Sequence, residues 1–191
     1  MKDGTEQGGK TPMTMSRRKF LKLGVIAAAA AALPETVFAR VPSPSERALS
    51  FYNIHTGESL RTAYWSQGVY SAGAMDEINY LLRDYRTGEI KAIDPGLLDL
   101  LYSVNRLVRS GDPFHVVSGY RSAATNAMLA AKSSGVAKHS KHIEGKAIDV
   151  YLPDRALKEL RRAALVLGRG GVGYYPESHF VHLDVGPVRT W

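Results

Sequence analysis

The chain has 191 residues, 25 Lys and Arg against 18 Asp and Glu, a formal net charge of +7 and no cysteine. The lack of cysteine excludes a disulfide framework, a thiolate metal ligand, a cysteine nucleophile and a lipoprotein acylation site. We expect no nucleic-acid partner, because the positive charge forms no basic stripe with interleaved aromatic residues.

Residues 1–39 have the pattern of a twin-arginine signal peptide. Arg17 and Arg18 precede an apolar segment at residues 23–33, and small residues suited to signal peptidase follow. The apolar segment is shorter than the roughly 20 residues of a transmembrane helix, so we expect no stable membrane span after cleavage. The pattern therefore predicts export to the periplasm by the twin-arginine (Tat) translocase. Residues 40–191 keep a net charge of +4, which suits a polyanionic cell wall.

The next segment predicts a linker, a hairpin and a helix. Residues 40–47 contain prolines and serines and predict the linker. Two β-prone runs at residues 49–54 and 59–64 flank a Thr-Gly turn, which favours a β-hairpin. Ser71 is a candidate N-cap for a helix that runs to about Asp84.

Three further helices are predicted towards the middle and end of the chain. Asp94-Pro95 is a typical helix start, and an apolar stripe leads from there to a predicted end at Gly111. The other two helices are expected at residues 123–132 and 155–167.

Strands are expected mainly in the second half of the chain, at residues 114–118, 146–152, 172–175 and 180–185. With helices early and strands late, the pattern favours an α+β fold. We predict a single domain at residues 48–191, with a central antiparallel sheet that carries a zinc site on one face and helices on the other.

Two strand-like runs supply a candidate zinc site. Asp149 and His182 alternate with apolar residues, so both can point from one face of paired strands. Gly145 allows the preceding loop to bring His142 over them. Two imidazoles and one carboxylate are a typical ligand set for catalytic zinc, which leaves a fourth position for water. His139, close to His142, is expected to be solvated, and His55 and His115 to be structural.

An arginine lies just beyond the strand predicted at residues 114–118. The motif Ser118-Gly119-Tyr120-Arg121-Ser122 places Arg121 after a glycine turn. A guanidinium can bind two oxygens at once, so Arg121 is a candidate to hold a substrate carboxylate or the developing oxyanion. An ordinary structural salt bridge is the alternative. We also expect Ser118 to contact the substrate.

These motifs together resemble a known superfamily of enzymes. Residues 118–122, the pattern Ser-x-His-x-x-Gly-x-Ala-x-Asp at 140–149, and Phe-Val-His at 180–182 are similar to the zinc D,D- and L,D-peptidases of the cell wall, whose superfamily includes the hedgehog signalling domain. Segments at residues 53–59, 84–86, 93–97 and 170–176 resemble the Tat-exported murein endopeptidase K family. The resemblance implies peptidoglycan as the substrate and direct diaminopimelate (3-3) cross-links as the target.

The resemblance also implies roles for further residues. Members of the superfamily often carry Glu or Asp three residues before the last zinc histidine, where this chain has His179. A histidine can act as a general base with a pKa near 6.5. Asp184 is the competing base, or instead a residue that orients a ligand histidine. Tyr174 is predicted to form part of the substrate-binding wall.

Two classes of function therefore remain open on the sequence. The first is a periplasmic zinc endopeptidase of peptidoglycan, with a D,D-carboxypeptidase or 4-3 endopeptidase as a variant of the same chemistry. The second is a peptidoglycan-binding or scaffold domain that keeps the metal site but lacks a productive base.

Overall fold

The computed structural model describes residues 45–133, 135, 137 and 139–191. The predicted signal peptide and residues 40–44 lie outside the described residues. The described chain belongs to one compact unit that starts at Pro44. No helix in this part of the chain has the length and hydrophobicity of a membrane span.

An eight-stranded mixed sheet forms the centre of the fold. Its spatial order is β3-β2-β1-β4-β5-β7-β6-β8. The strands are β1 Glu46–Asn53, β2 Ser59–Ser66, β3 Val69–Tyr70, β4 Phe114–Ser118, β5 Ala147–Tyr151, β6 Gly171–Tyr175, β7 Phe180–Asp184 and β8 Arg189–Thr190. The predicted antiparallel pairing holds for the central strands β4, β5, β7 and β6, which carry the candidate metal site, whereas β1 pairs with β4, and β6 with β8, in parallel. Between β1 and β4 the chain forms β2, β3 and two helices. This long connection allows β4 to lie beside β1 and run in the same direction, as a parallel pair requires.

Within the described residues, four α-helices and one 3-10 helix complete the fold. They are α1 Ala72–Leu81, α2 Pro95–Val108, α3 Ala123–Lys132, α4 Leu157–Leu167 and the 3-10 helix Lys141–Glu144. The predicted cap at Ser71 is confirmed, since its side chain accepts a hydrogen bond from the amide of Ala74. The predicted end of α2 at Gly111 was too late, because Arg109 adopts a left-handed conformation (φ 55°) and ends the helix two residues earlier.

The two faces of the sheet have different roles. Apolar residues of the strands pack against α1, α2 and α4 in one core, which includes Leu49, Phe51, Phe114, Val116, Ile148, Val150, Val181, Leu183, Ile78, Leu97 and Leu160. Residues one position away in the strands point to the other face, because side chains alternate along a strand. Asp149 and His182 are among them, so the predicted arrangement, with helices opposite the candidate metal site, is confirmed.

The predicted linker extends too far into the fold. Glu46 and Arg47, placed there by prediction, belong to β1 and pair with Ser66 and Trp65 of β2. Hydrogen bonds to the neighbouring strand stabilise these residues, a contribution that their local composition does not reveal.

Gly145 ends the 3-10 helix and permits a close backbone contact. Its φ is +69°, and its carbonyl accepts a hydrogen bond of 2.9 Å from the amide of Asp94. A Cβ atom at this position would collide with the carbonyl oxygen of Ala92. Because His142 lies on the same short helix, this contact helps to fix the position of His142.

The substitution Gly145→Ala should destabilise the protein more than Gly57→Ala, its matched control. Gly57 has a similar φ of +74°, but a Cβ there would meet nothing within 4 Å. We expect Gly57→Ala to cost about 1 to 2 kcal/mol, the penalty of a left-handed alanine. Gly145→Ala should cost about 1 to 3 kcal/mol more, because the backbone must also move. Denaturant unfolding of both variants measures the difference, and equal losses would show that the contact with Ala92 is unimportant.

Candidate metal centre and active-site cavity

Three side chains from separate elements converge on one point. Strand β5 supplies Asp149, strand β7 supplies His182, and the 3-10 helix supplies His142. Asp149 and His182 are directly paired across the two strands. His142 Nε2 lies 3.2 Å from both Asp149 Oδ1 and His182 Nδ1, and the last two atoms are 2.8 Å apart. All three side chains are buried, and among the described residues they are the only such group that could hold a metal ion.

The outer hydrogen bonds of the two histidines fix which nitrogen carries the proton. His142 Nδ1 lies 2.7 Å from the carbonyl oxygen of Gly119, which can only accept, so this nitrogen donates. In the same way His182 Nε2 donates to Asp184 Oδ2 at 3.0 Å. The inner nitrogens of both rings therefore present lone pairs to each other and to the carboxylate of Asp149. Three lone pairs facing one point repel one another unless a cation lies between them, so the residues fit a bound metal ion.

The pKa values of His182 and Asp149 also show that the site favours a positive charge. Burial lowers the pKa of His182, but the hydrogen bonds with Asp149 and Asp184 outweigh this effect and raise the pKa to about 9. Burial alone would raise the pKa of Asp149, whereas the neighbouring His142 and His182 hold it below its ordinary value. A proton and a metal ion therefore compete for this point, and the metal affinity should rise with pH up to about 9.

Asp184 lies behind the metal centre and is completely buried. Its carboxylate accepts hydrogen bonds from His182, from the amides of Gly171 and Gly186, and from the guanidinium of Arg189 at 2.6 Å. With both oxygens engaged and no access to the cavity, Asp184 is not placed to act as a base. Its hydrogen bond to His182 instead suits the second predicted role, which is to orient that histidine.

A cavity of about 510 Å³ opens over the three converging side chains. Its walls include the cationic side chains Arg121, Lys141 and Arg189, the aromatic side chains Tyr175, Phe180 and Trp191, and the polar side chains Ser133, His139, Ser140 and Ser178. Among the described residues of this lining, Asp149 is the one carboxylate, and it is a candidate metal ligand. The cavity is therefore suited to a substrate that carries carboxylates.

Arg121 lies at the edge of this cavity, as the sequence predicted. Its guanidinium is 3.3 Å from Ser118 Oγ, 3.4 Å from Asp149 Oδ2 and 3.5 Å from Asn126 Oδ1. These contacts are long for charge-assisted hydrogen bonds, so the guanidinium remains able to bind another anion. Ser118 supports Arg121 and is not part of the cavity lining in the described structure.

The loop that carries Arg121 is held by Asp84. The carboxylate of Asp84 accepts hydrogen bonds of 2.9 Å from the amides of Arg86 and Ser122, and Ser122 is the N-cap of α3. Burial alone would raise the pKa of Asp84, but hydrogen bonds from Thr125, Ser122 and Arg86 outweigh it and lower the pKa to about 2. The hydrogen bonds of Asp84 to Arg86 and Ser122 thus help to fix the position of Arg121, which its short loop alone does not determine.

Besides Ser118 and Asp184, two further predicted site residues lie outside the cavity. Tyr174 pairs with Val181 and points to the helical face of the sheet, where Arg161 of α4 lies 5.1 Å from its ring. We therefore correct the predicted wall residue from Tyr174 to Tyr175, which does line the cavity. His179 lies in the exposed turn before β7, with its ring against that of Tyr151 at 5.0 Å.

The sequence did not reveal the aromatic wall of the cavity. The rings of Tyr175 and Phe180 stack at 4.6 Å, and Trp191 Nε1 donates to the hydroxyl of Tyr175 at 2.6 Å. Trp191 also lies 5.3 Å from the ring of His182 and fills the space beside Gly173. Strand alternation could have identified Tyr175 and Phe180, because both share a face with the ligands. Trp191 reaches the cavity because β8, which directly precedes it, pairs with β6 at the edge of the sheet. No local sequence pattern predicts that pairing.

Two histidines and an aspartate that meet at the floor of an open cavity define the site of a metal-dependent hydrolase. The family model described as "Peptidoglycan L,D-endopeptidase MepK" matches residues 41–191. The chain therefore belongs to this family of M15-type peptidases, and the resemblance noted in the sequence is confirmed.

Named relatives agree with the family match. The chain is 46% identical over 176 residues to the peptidoglycan L,D-endopeptidase MepK of Escherichia coli strain K12, which covers 92% of this chain and 97% of that protein. It is 44% identical over 178 residues to the probable peptidoglycan L,D-endopeptidase MepK of Haemophilus influenzae, with 92% and 95% coverage. A solved structure, the L-Ala D-Glu endopeptidase ChiX of Serratia marcescens, is 22% identical, with a TM-score of 0.34 over 50% of this chain and 69% of that one. That last similarity is too low to carry a conclusion.

Two substitutions should distinguish a residue that binds the metal from a residue that only supports a metal ligand. His182→Ala removes a ligand and should abolish stoichiometric metal binding. Asp184→Asn keeps all three ligands but weakens the support of His182, so the affinity for Zn²⁺ should fall by about 10-fold to 100-fold. Asp154→Asn is the matched control, because Asp154 bonds to Ser110 and Gly111 away from the site. Elemental analysis and competition with a chelator provide the measurements. Stoichiometric metal in His182→Ala would disprove the ligand assignment.

Proposed function

We propose that this protein is a zinc-dependent endopeptidase that hydrolyses peptide cross-links of peptidoglycan, with the 3-3 diaminopimelate link as its substrate. The single observation that carries the proposal is the convergence of His142, Asp149 and His182 at the floor of a cationic cavity. Family membership and the L,D-endopeptidase names of the relatives support the choice of bond.

The ligand set favours zinc among the common metals. Two imidazole nitrogens and one carboxylate oxygen are typical of catalytic zinc sites, and the chain has no cysteine to supply thiolate ligands. When bound, a zinc ion polarises a carbonyl group and lowers the pKa of water towards about 7. His142, Asp149 and His182 would hold the ion, and Asp184 keeps His182 in the required tautomer.

Arg121 is proposed to hold the substrate in place. Its guanidinium is largely buried and lies beside the metal ligands, while its hydrogen bonds to Ser118 and Asp149 are long. A carboxylate of the cross-linked diaminopimelate, or the oxygen of the scissile carbonyl as it gains charge, could accept two hydrogen bonds from it.

His179 is proposed as the general base that takes a proton from the attacking water and returns it to the leaving amine. Its φ of 56° is unusual for a non-glycine residue, and the conformation is held by a hydrogen bond from its amide to Pro176. Such outliers occur preferentially at functional sites. Catalytic contacts often tighten only when substrate binds, so the position of His179 against Tyr151 is compatible with this role. His139, on the cavity wall, is the competing histidine.

The proposed location is the periplasm. The twin-arginine pattern around Arg17 and Arg18 supports export through the Tat translocase, and a peptidoglycan substrate is consistent with that compartment. The mild positive charge of residues 40–191 would favour association with an anionic wall.

The catalytic proposal predicts distinct defects for two variants that keep the metal. Arg121→Lys retains the charge but loses the planar fork, so turnover should fall by the equivalent of about 2 to 4 kcal/mol. His179→Ala should lower the rate by about a hundredfold or more and remove one limb of the pH–rate profile. His139→Ala is the matched histidine control and should remain active. Digestion of defined 3-3 and 4-3 cross-linked dimers by zinc-loaded protein measures all three.

The outcomes also decide between the alternatives. If His139→Ala is the inactive histidine variant, the base is His139. If only 4-3 dimers are cleaved, the protein is a D,D-endopeptidase. If zinc-loaded wild-type protein leaves both dimers intact and still binds sacculi, the non-catalytic peptidoglycan-binding function replaces the enzymatic one.

The export proposal has its own test. Replacing Arg17 and Arg18 by Lys keeps the positive charge but removes the guanidinium groups that the translocase recognises. The precursor should then accumulate in the cytoplasm, as measured by cell fractionation. Replacing Lys2 and Lys10 by Arg is the charge-matched control and should leave export unchanged. Normal periplasmic accumulation of the double-Lys variant would indicate a different route.

A further inference from the structure

A row of four aromatic rings crosses the sheet beside the metal centre. It consists of Tyr52 of β1, His115 of β4, Tyr151 of β5 and His179 of the β6–β7 turn, and we call it the aromatic row. The successive ring centroids are 4.8, 4.9 and 5.0 Å apart. Strand register places Tyr52 opposite His115, and His115 opposite Tyr151.

The aromatic row lies on the same face of the sheet as the metal ligands. Tyr151 is two residues from Asp149 on β5, and side chains two apart share a face. Phe51, Phe114 and Val150, the strand neighbours of the row, point the other way into the core. The row therefore lies on the same side of the sheet as the candidate active site and not on the helical side of the domain.

The rings of the row are open to solvent to different degrees. His179 is exposed, and Tyr52, His115 and Tyr151 are partly exposed. The row also contains a polar contact, because the hydroxyl oxygen of Tyr151 lies 3.0 Å from His115 Nδ1. Burial lowers the pKa of His115, so its ring is neutral at pH 7. The row thus presents aromatic rings with polar tips and contains no Lys, Arg, Asp or Glu side chain.

This chemistry contrasts with that of the neighbouring cavity, where Arg121, Lys141 and Arg189 supply positive charge. Peptidoglycan has the same division, because its peptides carry carboxylates whereas its N-acetylated sugars, linked through amides to the peptides, are neutral rings with apolar faces and polar edges. Aromatic side chains with a polar tip suit such surfaces, since they combine a large apolar area with a hydrogen-bonding group.

On the basis of the proposed function, we infer that the aromatic row is a glycan subsite. Tyr52, His115 and Tyr151 bind an N-acetylated sugar of the peptidoglycan strand while the attached peptide lies in the metal cavity, and His179, at the end of the row, keeps its proposed role as the base. Cross-strand aromatic pairs also stabilise sheets without any ligand, and the experiment separates that role from sugar binding.

Tyr52 is the residue to change, because it is the ring of the row farthest in strand order from the metal ligands. Tyr52→Ser removes the ring, Tyr52→Phe keeps it, and Tyr80→Ser is the control. Tyr80 is an exposed tyrosine of α1, an element that packs on the opposite face of the sheet. Circular dichroism of each variant verifies that it is folded.

The activity test compares 3-3 cross-linked muropeptides that carry their disaccharides with the same peptides freed of sugar. For Tyr52→Ser, the ratio of kcat/KM on the sugar-bearing substrate to kcat/KM on the sugar-free one should fall by about threefold to tenfold, mainly through KM. Tyr52→Phe and Tyr80→Ser should keep the wild-type ratio. An unchanged ratio for Tyr52→Ser, with equal losses on both substrates, overturns the proposal.

A binding test keeps the inference separate from the catalytic proposal. If wild-type protein cleaves neither substrate, the proposed function fails, and titration with the tetramer of N-acetylglucosamine decides on the subsite alone. Wild-type binding that is lost in Tyr52→Ser and kept in Tyr52→Phe supports the glycan subsite. No binding by wild-type protein, or equal binding by wild type and Tyr52→Ser, overturns it.

Discussion

Strands β5 and β7 pair with Asp149 opposite His182, and the candidate active site depends on that register. A shift of one residue would turn Asp149 into the helical core and Ile148 towards the cavity, because the side-chain period of a strand is two. The buried pairs Val150–Val181 and Ile148–Leu183 oppose such a shift. The apolar face of these strands thus fixes the position of the polar face.

The buried polar groups around the metal centre are arranged in layers. Gly119 and Asp184 accept the outer protons of the two histidines, Arg189 neutralises Asp184, and the backbone amides of Gly171 and Gly186 occupy its remaining acceptor positions. Each layer satisfies hydrogen bonds that would otherwise be lost on burial. The inner atoms keep their lone pairs free for a cation as a result.

Much of the site was predictable because it depends on local pattern. The alternation around Asp149 and His182, the glycine at position 145 and the capping residues Ser71 and Asp94 all act within a few residues, and each prediction agrees with the structure. The predicted wall residue was less accurate. Tyr174 and Tyr175 are adjacent and chemically alike, and only the pairing of Gly173 with His182 shows that Tyr175 shares the ligand face.

The sequence by itself determined the α+β class, the three candidate metal ligands and the face of the sheet that bears them, because periodicity and short-range turn chemistry encode these features. Tertiary structure decided what lies around them. Strand β8 brings Trp191 and Arg189 to the cavity, the parallel pairing of β1 with β4 completes the aromatic row, and the contacts of Asp184 hold it buried behind His182. These features depend on contacts between residues distant in sequence or on the other side of the sheet, and no local pattern specifies such contacts.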